Sequence, residues 1–428
     1  MTSATPENVN IVGGGIAGLI AATELARSGV KVRLFESAAA LGGRARTRDV
    51  DGFLLNQGPH ALYRLGALKR ELDRLGVSYS GGRALGGTRQ AIREGRLHDL
   101  PMTAASLAMT SLFRIRDKLA FGGVFKAITD GATGQGSFSQ WLDGQKLSPV
   151  LRQSLEALGR LTSYANGSDT VSAAAMLDQI RLGLGGTLYL DGGWSTIVEG
   201  LTKAAHEVGA ELNVGASVER VLTEGARSVV VLADGVRAEA DATILALGPN
   251  EAAKLAPGVA SLAIEAREAI PVRANTLDLA LKRMPENAHD FALGIDGPFY
   301  LSLHSKSAKL APGDGAVVHV AKYLSAGEGP QRNAIEELEG IADLVMPDWR
   351  EFEVRRQELR GMTVSNAIVR WDRKRPAVAV ADAPGLFIAG DWVGDEGMIA
   401  DAAAASAVKA AMAAKEWVSG QTFKRTAA

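Results

Sequence analysis

The stretch VNIVGGGIAGLIAATELARSGVKVRLFE, from Val9 to Glu36, decides the fold. Residues 9–12 are a short apolar run, which is typical of a buried parallel strand. Residues 13–18 match the pattern G-x-G-x-x-G, and small residues then continue as a predicted helix to residue 26. A second predicted strand, residues 31–35, ends at Glu36. This order of parts predicts a βαβ unit that binds an adenine dinucleotide.

Each glycine of the pattern has its own physical role. Gly13 permits the tight turn, Gly15 lets the backbone approach a pyrophosphate, and Gly18 lets helix and strand pack closely. The pyrophosphate then lies at the positive end of the helix, where free N–H groups point toward it. Glu36 can accept hydrogen bonds from a ribose 2′-hydroxyl. This stretch by itself leaves NAD and FAD open as the dinucleotide.

The composition restricts the class of protein. The chain has 428 residues, 46% hydrophobic and 22% charged, which indicates a soluble globular protein of two or three domains. Its net charge of -1 gives no indication of nucleic acid as a partner. The absence of cysteine excludes disulfides, thiolate metal sites, redox CxxC pairs and a flavin attached through a cysteine sulfur. We assign no metal-binding residues.

The sequence also predicts the cellular location of the protein. The chain contains no run of 18 apolar residues, which predicts that nothing spans a membrane. Its N-terminus lacks a basic segment followed by an apolar core, which predicts no secretory signal and a cytoplasmic enzyme. Peripheral membrane contact through the apolar part of the chain remains open.

Two further segments carry chemistry. The sequence Leu41-Gly42-Gly43-Arg44 follows the βαβ unit, and it can offer backbone amides and a cation to a phosphate. Near the C-terminus, residues 384–392 predict a strand that runs into Gly390 and Asp391, and residues 399–418 predict an Ala-rich helix. A plain turn and a plain packing helix are the alternatives. The position of the first segment a few residues after Glu36, and the Gly-Asp just before the helix of the second, favour the functional interpretation.

The order of elements predicts the architecture. We expect an α/β protein with a discontinuous Rossmann-like dinucleotide-binding domain, which the resemblance described below makes an FAD-binding domain, and an α+β substrate domain with a mixed sheet and a helical insert. The first comprises residues 1–85, 187–250 and 384–428, and the second comprises residues 86–186 and 251–383. The insert is rich in apolar residues, for which a helical core is one interpretation and the wall of a substrate chamber is another. The residues in question are Phe113, Phe121, Phe125, Phe138 and Trp141.

These parts, in this order, resemble the superfamily of flavin amine oxidases, phytoene desaturases and protoporphyrinogen oxidases. The resemblance covers most of the chain in architecture, and its motifs are specific for about the first 60 and the last 40 residues. It implies FAD, held without a covalent bond. The implied FAD-binding residues, carried over position by position, are Gly13, Gly15, Ile16, Ala17 and Gly18 at the pyrophosphate, Glu36 at the ribose, Gly43 and Arg44 along the phosphates, Val218 at the adenine, Gly58, Pro59 and His60 beside the flavin ring, Gly390 and Asp391 at the phosphate–ribityl region, and Met398 and Ile399 at the pyrimidine ring.

The chemistry of the last helix has a physical basis in addition to the resemblance. When a flavin accepts a hydride at N5, its N1/O2 region becomes anionic, and amides at a positive helix end stabilise that charge. A second G-x-G-x-x-G after a strand is absent, so a separate NAD(P)H domain is not expected. Oxygen, a quinone or another carrier is therefore the expected electron acceptor.

The substrate remains open at this stage. Amine oxidases of the superfamily often carry a Tyr just before the position of Met398, but this chain has Gly397 there. They often carry a Lys near N5, and Lys282 follows a suitable strand, although a solvated lysine is the alternative. We therefore favour oxidation, by desaturation or dehydrogenation, of a hydrophobic small molecule. An amine oxidase and a non-catalytic protein that binds flavin and a hydrophobic ligand are the alternatives.

Several residues are candidates for contact with the substrate. Tyr300 and His304 share one face of a predicted strand because side chains alternate along a strand. His60 follows a Gly-Pro turn, and Gly397 occupies the position of the missing Tyr. Trp371 and Trp392 are candidates for an apolar wall. For these aromatic residues, ordinary packing is the alternative.

Overall fold

The computed structural model describes residues 7–84, 89–101, 103–224, 227–329 and 331–427. Its strands in chain order are β1 (Asn8–Val12), β2 (Lys31–Glu36), β3 (Thr47–Val50), β4 (Phe53–Asn56), β5 (Leu62–Tyr63), β6 (Gly81–Arg83), β7 (Arg89–Arg93), β8 (Arg96–Asp99), β9 (Thr187–Leu190), β10 (Glu211–Val214), β11 (Val218–Glu224), β12 (Arg227–Leu232), β13 (Arg237–Ala240), β14 (Ala242–Leu245), β15 (Val272–Leu281), β16 (Phe291–Gly294), β17 (Phe299–Leu303), β18 (Ala316–Tyr323), β19 (Glu353–Ser365) and β20 (Leu386–Ile388).

The helices cover the predicted helical regions. In chain order they are α1 (Ile16–Arg27), α2 (Ala67–Arg74), α3 (Ala104–Met109), α4 (Ile115–Thr129), α5 (Phe138–Gly144), α6 (Pro149–Ser163), α7 (Ala173–Leu184), α8 (Ser195–Glu207), α9 (Pro249–Leu255), α10 (Ala260–Glu268), α11 (Ala334–Val345) and α12 (Ile399–Ala427).

The predicted βαβ unit is the centre of a five-stranded parallel sheet. The strand order is β10-β2-β1-β14-β20. Val9 and Ile11 face α1, α8 and α12, whereas Val12 faces the other side, because successive side chains of a strand point to opposite faces. That other side is covered by the antiparallel sheet β11-β12-β13. Strands β10 and β14 therefore return to the first sheet, and β20 adds the C-terminal strand to it, whereas β9 pairs with β5 and β6 in a separate sheet.

A seven-stranded mixed sheet forms the second part of the fold. Its order is β19-β15-β18-β17-β16-β7-β8, in which β16 and β7 are parallel and the other pairs are antiparallel. Leu277 and Val320 face α11, and their strand neighbours Asp278 and His319 point to the opposite face. The α/β class with a Rossmann-like sheet and a separate mixed sheet is thus confirmed.

Some boundaries differ from the sequence prediction. Strand β16 was missed, since four residues carry little periodicity, and it links the β7–β8 hairpin to the second sheet. The strand that the sequence predicts for residues 352–359 is β19, which continues to Ser365, and α12 continues beyond its predicted end at residue 418 to Ala427. The sequence also predicts a hairpin over residues 88–100, which is the β7–β8 hairpin. Its predicted start at Thr88, and the predicted domain boundary at residues 85 and 86, lie outside the described residues.

Candidate functional site

One continuous cavity of about 820 Å³ connects the two sheets. Its lining begins at the glycine loop after β1 and includes Glu36 and residues 42–46. It continues past residues 57–63 to the face of the second sheet that points away from α11, and it includes the start of α12. A volume of this size lies near the upper end of the range of about 300–1,000 Å³ for ligand pockets.

The glycine loop has room for a ligand at one position and none at another. A Cβ built on Gly15 meets no atom of the described chain within 4 Å, whereas a Cβ on Gly18 lies 1.9 Å from the carbonyl oxygen of Gly13. Gly13, Gly15, Ile16 and Ala17 line the cavity. Gly18 instead forms the close contact between helix and turn. The open position at the start of α1 fits the phosphates of a dinucleotide.

Glu36 holds the glycine loop in addition to facing the cavity. Its Oε2 accepts a hydrogen bond from the Gly14 N–H at 2.7 Å, and its Oε1 accepts one from the Ala38 N–H at 2.8 Å. The carboxylate still lines the cavity, so remaining lone pairs are available to a ribose hydroxyl. The Gly-Gly segment lies against the same loop, because Gly42 donates from its N–H to the Gly14 carbonyl at 2.8 Å.

The two distant motifs meet at Asp391. This carboxylate is 2% exposed and accepts hydrogen bonds from Arg44 Nη1 at 2.9 Å and from Asn366 Nδ2 at 2.8 Å. Arg44, Asn366, Gly390 and Asp391 all line the cavity. Gly43 lies beside Arg44 on the same wall. This arrangement places a cation and a fixed anion next to the open glycine loop.

The start of α12 also reaches the cavity through Ile399 and Ala400. Ile399 has a φ of 54°, in the left-handed region that β-branched residues rarely adopt. Such a conformation at the first turn of a helix is typical of functional sites, where the surrounding structure imposes it. The free N–H groups of this helix end are therefore available to an electron-rich group in the cavity.

Four predicted cofactor residues lie outside the described cavity lining. They are Gly18, Gly58, Val218 and Met398. A Cβ on Gly58 would lie 3.0 Å from the sulfur of Met362, Val218 packs beneath the parallel sheet, and Met398 is buried in the core under the helical insert. Pro59 and His60, which follow Gly58, do line the cavity.

Three of the substrate candidates also lie elsewhere, for different reasons. Trp371 is 47% exposed, and Trp392 is buried with its Nε1 donating to the Leu247 carbonyl at 2.8 Å. A Cβ on Gly397 would lie 3.0 Å from the Cβ of Asp401, so this position faces the helix rather than the described cavity lining. Lys282 is exposed and lies over the Phe352 ring, which agrees with the solvated alternative.

His60, Tyr300 and His304 line the cavity together. Burial lowers the pKa of His60 to about 4, against the opposing effect of its hydrogen bond to the Gly58 carbonyl. Burial likewise holds the pKa of His304 well below its usual value, and the neighbouring His319 lowers it further. Both rings are therefore neutral near pH 7, and each can donate one hydrogen bond and accept one.

The structure adds residues that the sequence prediction missed. Tyr63, Tyr164, Tyr189 and Tyr323 line the cavity, and Tyr189 stacks on His304 with ring centroids 3.7 Å apart. Behind them, His319 Nδ1 lies 2.7 Å from Asp278 Oδ1. Polar residues within otherwise apolar strands were the available signal, since a buried polar group needs a partner.

The helical insert contributes to the cavity through its aliphatic residues. Leu158 and Leu161 of α6 and Leu184 of α7 are in the lining. The five aromatic residues considered for a chamber wall are outside it. They pack instead on one another and on the insert's core, as Phe113 and Phe121 do with ring centroids 5.4 Å apart. For these residues the helical-core interpretation is the correct one.

Two features are absent from the described residues. No group of three or more histidine, aspartate or glutamate side chains is arranged to hold a metal ion. No helix in the described part of the chain has the length and apolar character needed to cross a bilayer.

The fold and the cavity define a Rossmann-like α/β protein whose dinucleotide-type loop opens onto a chamber under a second sheet. The family model for flavin containing amine oxidoreductases matches residues 16–279, and the chain belongs to that family. The resemblance found in the sequence is thereby confirmed, and a flavin is the cofactor that the family implies.

Individual relatives agree with this assignment. The chain is 25% identical over 276 residues to the 4,4'-diapolycopen-4-al dehydrogenase of Metabacillus indicus, covering 55% of each protein. It is 27% identical over 274 residues to the zeta-carotene-forming phytoene desaturase of Myxococcus xanthus, covering 55% of this chain and 52% of that one. The chain thus spans about half the length of these curated relatives.

Solved structures share the fold. An oxidoreductase from Methanosarcina mazei has a TM-score of 0.76 at 19% identity, covering 96% of this chain and 100% of that one. At this identity the likeness concerns the fold.

Proposed function

We propose that this chain is an FAD-dependent oxidoreductase that oxidises an apolar small molecule by desaturation or dehydrogenation. The observation that carries the proposal is the single cavity of about 820 Å³ that runs from the open glycine loop to the aromatic and aliphatic wall of the second sheet. A cofactor on the loop and a substrate on the wall then share one continuous space. The carotenoid-related names of the two curated relatives support an apolar substrate.

In this proposal the cofactor residues have separate tasks. Gly15 and the N-terminus of α1 hold the pyrophosphate, while Glu36 holds a ribose that only a dinucleotide supplies, which favours FAD over FMN. The rest of the FAD molecule is held by Arg44, Asp391 and the start of α12. When bound, the flavin supplies the acceptor for two electrons.

The domain division follows from the same proposal. Residues 1–85, 187–250 and 384–428 form the FAD-binding domain, and residues 86–186 and 251–383 form the substrate domain. The sheet topology supports this division, because the five parallel strands all come from the first set and β15–β19 come from the second.

In this proposal several of the chain's own side chains make part of the cavity apolar or uncharged. Leu158, Leu161 and Leu184 cover one side of the cavity. The low pKa of His60 keeps an imidazolium charge out of it near pH 7. An apolar substrate gains by leaving water for such a chamber, at about 25 cal/mol for each Å² of apolar surface buried.

Anaerobic mixing of the flavin-loaded protein with candidate substrates tests the proposal. We expect a polyene to bleach the flavin absorption band and amines to leave it unchanged. Bleaching by amines, with release of peroxide on reoxidation, would instead establish an amine oxidase. Binding of a polyene without bleaching would establish a non-catalytic ligand-binding protein. Reoxidation of the bleached protein by oxygen, a quinone or another carrier then identifies the electron acceptor.

We infer that the segment α3–α4 contacts an anionic lipid surface. Met109, Ile115 and Leu119 project into solvent with exposures of 85%, 81% and 77%. Basic residues lie beside them, namely Arg114, Arg116 and Lys118, while the nearby Asp117 is buried. Exposed apolar side chains flanked by basic ones are typical of helices that lie in a membrane interface. A substrate dissolved in the bilayer would be available there.

A further inference from the structure

A cluster of four polar side chains lies in the cavity wall, on the side of the second sheet that faces away from α11. It consists of Tyr189 on β9, Tyr300 and Ser302 on β17, and His304 just after β17, and all four line the cavity. The last three share a face because side chains alternate along a strand. We call these four residues the oxygen cluster.

The members of the oxygen cluster are linked by hydrogen bonds. The Tyr189 hydroxyl lies 3.1 Å from Ser302 Oγ and 3.5 Å from the Tyr300 hydroxyl. The Tyr300 hydroxyl lies 3.2 Å from His304 Nε2. Three hydroxyls and one neutral imidazole hold more lone pairs and protons than these contacts use, since each hydroxyl can donate once and accept twice.

The neighbouring wall contains both apolar and charged residues. Leu158, Leu161, Phe291 and Leu303 line the same cavity, as do Asp290 and Lys306, which pair with each other at 2.6 Å. Among the described residues the cluster's polar atoms have no charged partner, and one of them, His304 Nδ1, is buried without any hydrogen-bond partner there, which costs free energy in a chamber for a pure hydrocarbon. Two other tyrosines of the cavity differ, because the hydroxyls of Tyr63 and Tyr164 donate to backbone carbonyls at 2.6 and 2.7 Å. Those hydroxyls serve the fold.

The ring of His304 is supported from behind by a second histidine. His319 contacts it edge to face with ring centroids 4.3 Å apart, and Asp278 in turn accepts from His319 Nδ1 and from Gln357 Nε2. His304 Nδ1 and His319 Nε2 are both buried without a hydrogen-bond partner among the described residues. The Asp278 carboxylate accepts the proton on His319 Nδ1 and so fixes the ring of His319 against that of His304.

The two possible proton positions on His304 let the Tyr300 hydroxyl either accept a hydrogen bond from a ligand or donate one to it. When the His304 proton is on Nδ1, Nε2 accepts from the Tyr300 hydroxyl, whose oxygen is then free to accept from an alcohol. When the proton is on Nε2, the Tyr300 hydroxyl is free to donate to a carbonyl. The cluster therefore suits one oxygen atom at either oxidation level.

We propose that the oxygen cluster binds the hydroxyl or carbonyl oxygen of the substrate, so that the substrate is an apolar molecule bearing an oxygen function rather than a pure hydrocarbon. This inference rests on the proposed function, because it assigns the chemistry of the substrate in the same cavity. Tyr300 is the central residue, as it links Tyr189 to His304.

Equilibrium binding to the flavin-loaded protein tests the proposal. The probes are a C20 polyprenol, the corresponding aldehyde and the parent hydrocarbon. Binding of each probe is measured as quenching of tryptophan fluorescence, to which Trp194 in the cavity wall can respond. We expect the alcohol and the aldehyde to bind at least about tenfold more tightly than the hydrocarbon, because a site built for a hydrogen bond rejects a ligand that lacks the partner.

Three variants make the test specific. Y300F and S302A should remove this preference while hydrocarbon binding stays within about twofold of wild type. Y164F is the matched control, since it also removes a tyrosine hydroxyl from the cavity wall, and it should retain the preference. The urea unfolding midpoint of each variant verifies that it folds.

Three outcomes would overturn the proposal: equal or tighter binding of the hydrocarbon, an undiminished preference in Y300F, or binding of none of the three probes. Failure of the proposed function is distinguishable from these results. A protein that prefers the oxygenated probes without flavin bleaching by any of them retains the oxygen cluster and loses the oxidoreductase assignment. If the hydrocarbon bleaches the flavin and the protein shows no preference for the oxygenated probes, the oxidoreductase assignment is retained and the oxygen cluster is lost.

Discussion

The Arg44 guanidinium donates to the Asp391 carboxylate at 2.9 Å, across a sequence separation of 347 residues. Asp391 is buried and also accepts from the Asn366 side chain, whereas the Arg44 side chain is 42% exposed. Solvent screens the exposed guanidinium, so the pair is weaker than one between two buried charges would be. Its effect is to fix a cation beside the glycine loop.

The first prediction concerns this buried carboxylate. D391N should lower the free energy of unfolding of the flavin-free protein by about 1–3 kcal/mol, because hydrogen bonds to a charged acceptor are lost. It should also lower the flavin content after purification. Urea denaturation and released-flavin fluorescence measure the two effects. D395N is the control, since Asp395 is 89% exposed, and equal losses in both variants would remove the special role of Asp391.

The second prediction concerns the ribose. E36Q retains the size of Glu36 but replaces the anionic acceptor, so we expect the Kd for FAD to rise by at least about tenfold. Titration of the flavin-free protein with FAD measures this change. E219Q, at an exposed position on β11, should leave the Kd unchanged. An unchanged Kd in E36Q would contradict the assignment of Glu36 to the ribose.

The third prediction separates the roles of two glycines. In G15A the new methyl group points into open space, so the flavin-free protein should keep its stability within about 0.5 kcal/mol and lose flavin affinity. In G18A the methyl group would meet the Gly13 carbonyl, and we expect destabilisation of about 1–3 kcal/mol or more. Thermal unfolding and FAD titration of both variants test the contrast. A destabilised G15A with normal FAD affinity would contradict it.

The fourth prediction is a pH dependence of stability. The pKa of His60 is about 4 in the folded chain, compared with 6.5 for an ordinary histidine. Between these pH values the unfolded chain binds more protons at this residue than the folded chain does. The free energy of unfolding should therefore fall as the pH decreases from about 6.5 toward 4, by up to about 3 kcal/mol from this residue.

Urea denaturation of the flavin-free protein at pH 7.5 and pH 5 measures this dependence. H60N should show a smaller loss between the two pH values than wild type. H206N is the control, because His206 is exposed, and it should keep the wild-type loss. A wild-type loss in H60N would show that the residue is solvated in the folded protein.

The fifth prediction concerns the surface of α3–α4. The test is co-sedimentation with vesicles that contain roughly 30–40% anionic lipid, because basic interfacial helices bind anionic membranes. Binding of the wild type should be strong and should weaken with added salt. The double variant I115S/L119S should lose binding. M412S is the control, because Met412 is an exposed apolar residue on α12. Equal binding of wild type and the double variant would exclude this surface.

Much of the first sheet is predictable because its signals are local. The glycine pattern, the small residues of α1 and the terminal Glu36 lie within 28 consecutive residues, and each constrains its neighbours through backbone geometry. The strand before Gly390 and the helix after Met398 are readable for the same reason. The resemblance then related these segments to one another, and in the structure the C-terminal strand β20 joins the same parallel sheet through its pairing with β14.

Positions within irregular segments were less predictable. Gly397 precedes α12 by two residues, but a φ of 67° turns it toward Asp401 rather than toward the described cavity lining. Trp392 follows the Gly-Asp turn, yet its indole is buried against the Leu247 carbonyl. Side-chain direction in a loop depends on dihedral angles that no periodicity reveals.

The sequence by itself determined the βαβ unit with its glycine pattern, the class of fold and the resemblance to the family, because each motif is encoded in neighbouring residues. Only the tertiary structure decided what faces the chamber. Asp278 and His319 are opposite each other in the pairing of β15 with β18, and a shift of one residue would turn both toward α11. Strand register depends on pairing between segments 41 residues apart, and that long-range choice brings the buried Asp278–His319 pair behind the oxygen cluster.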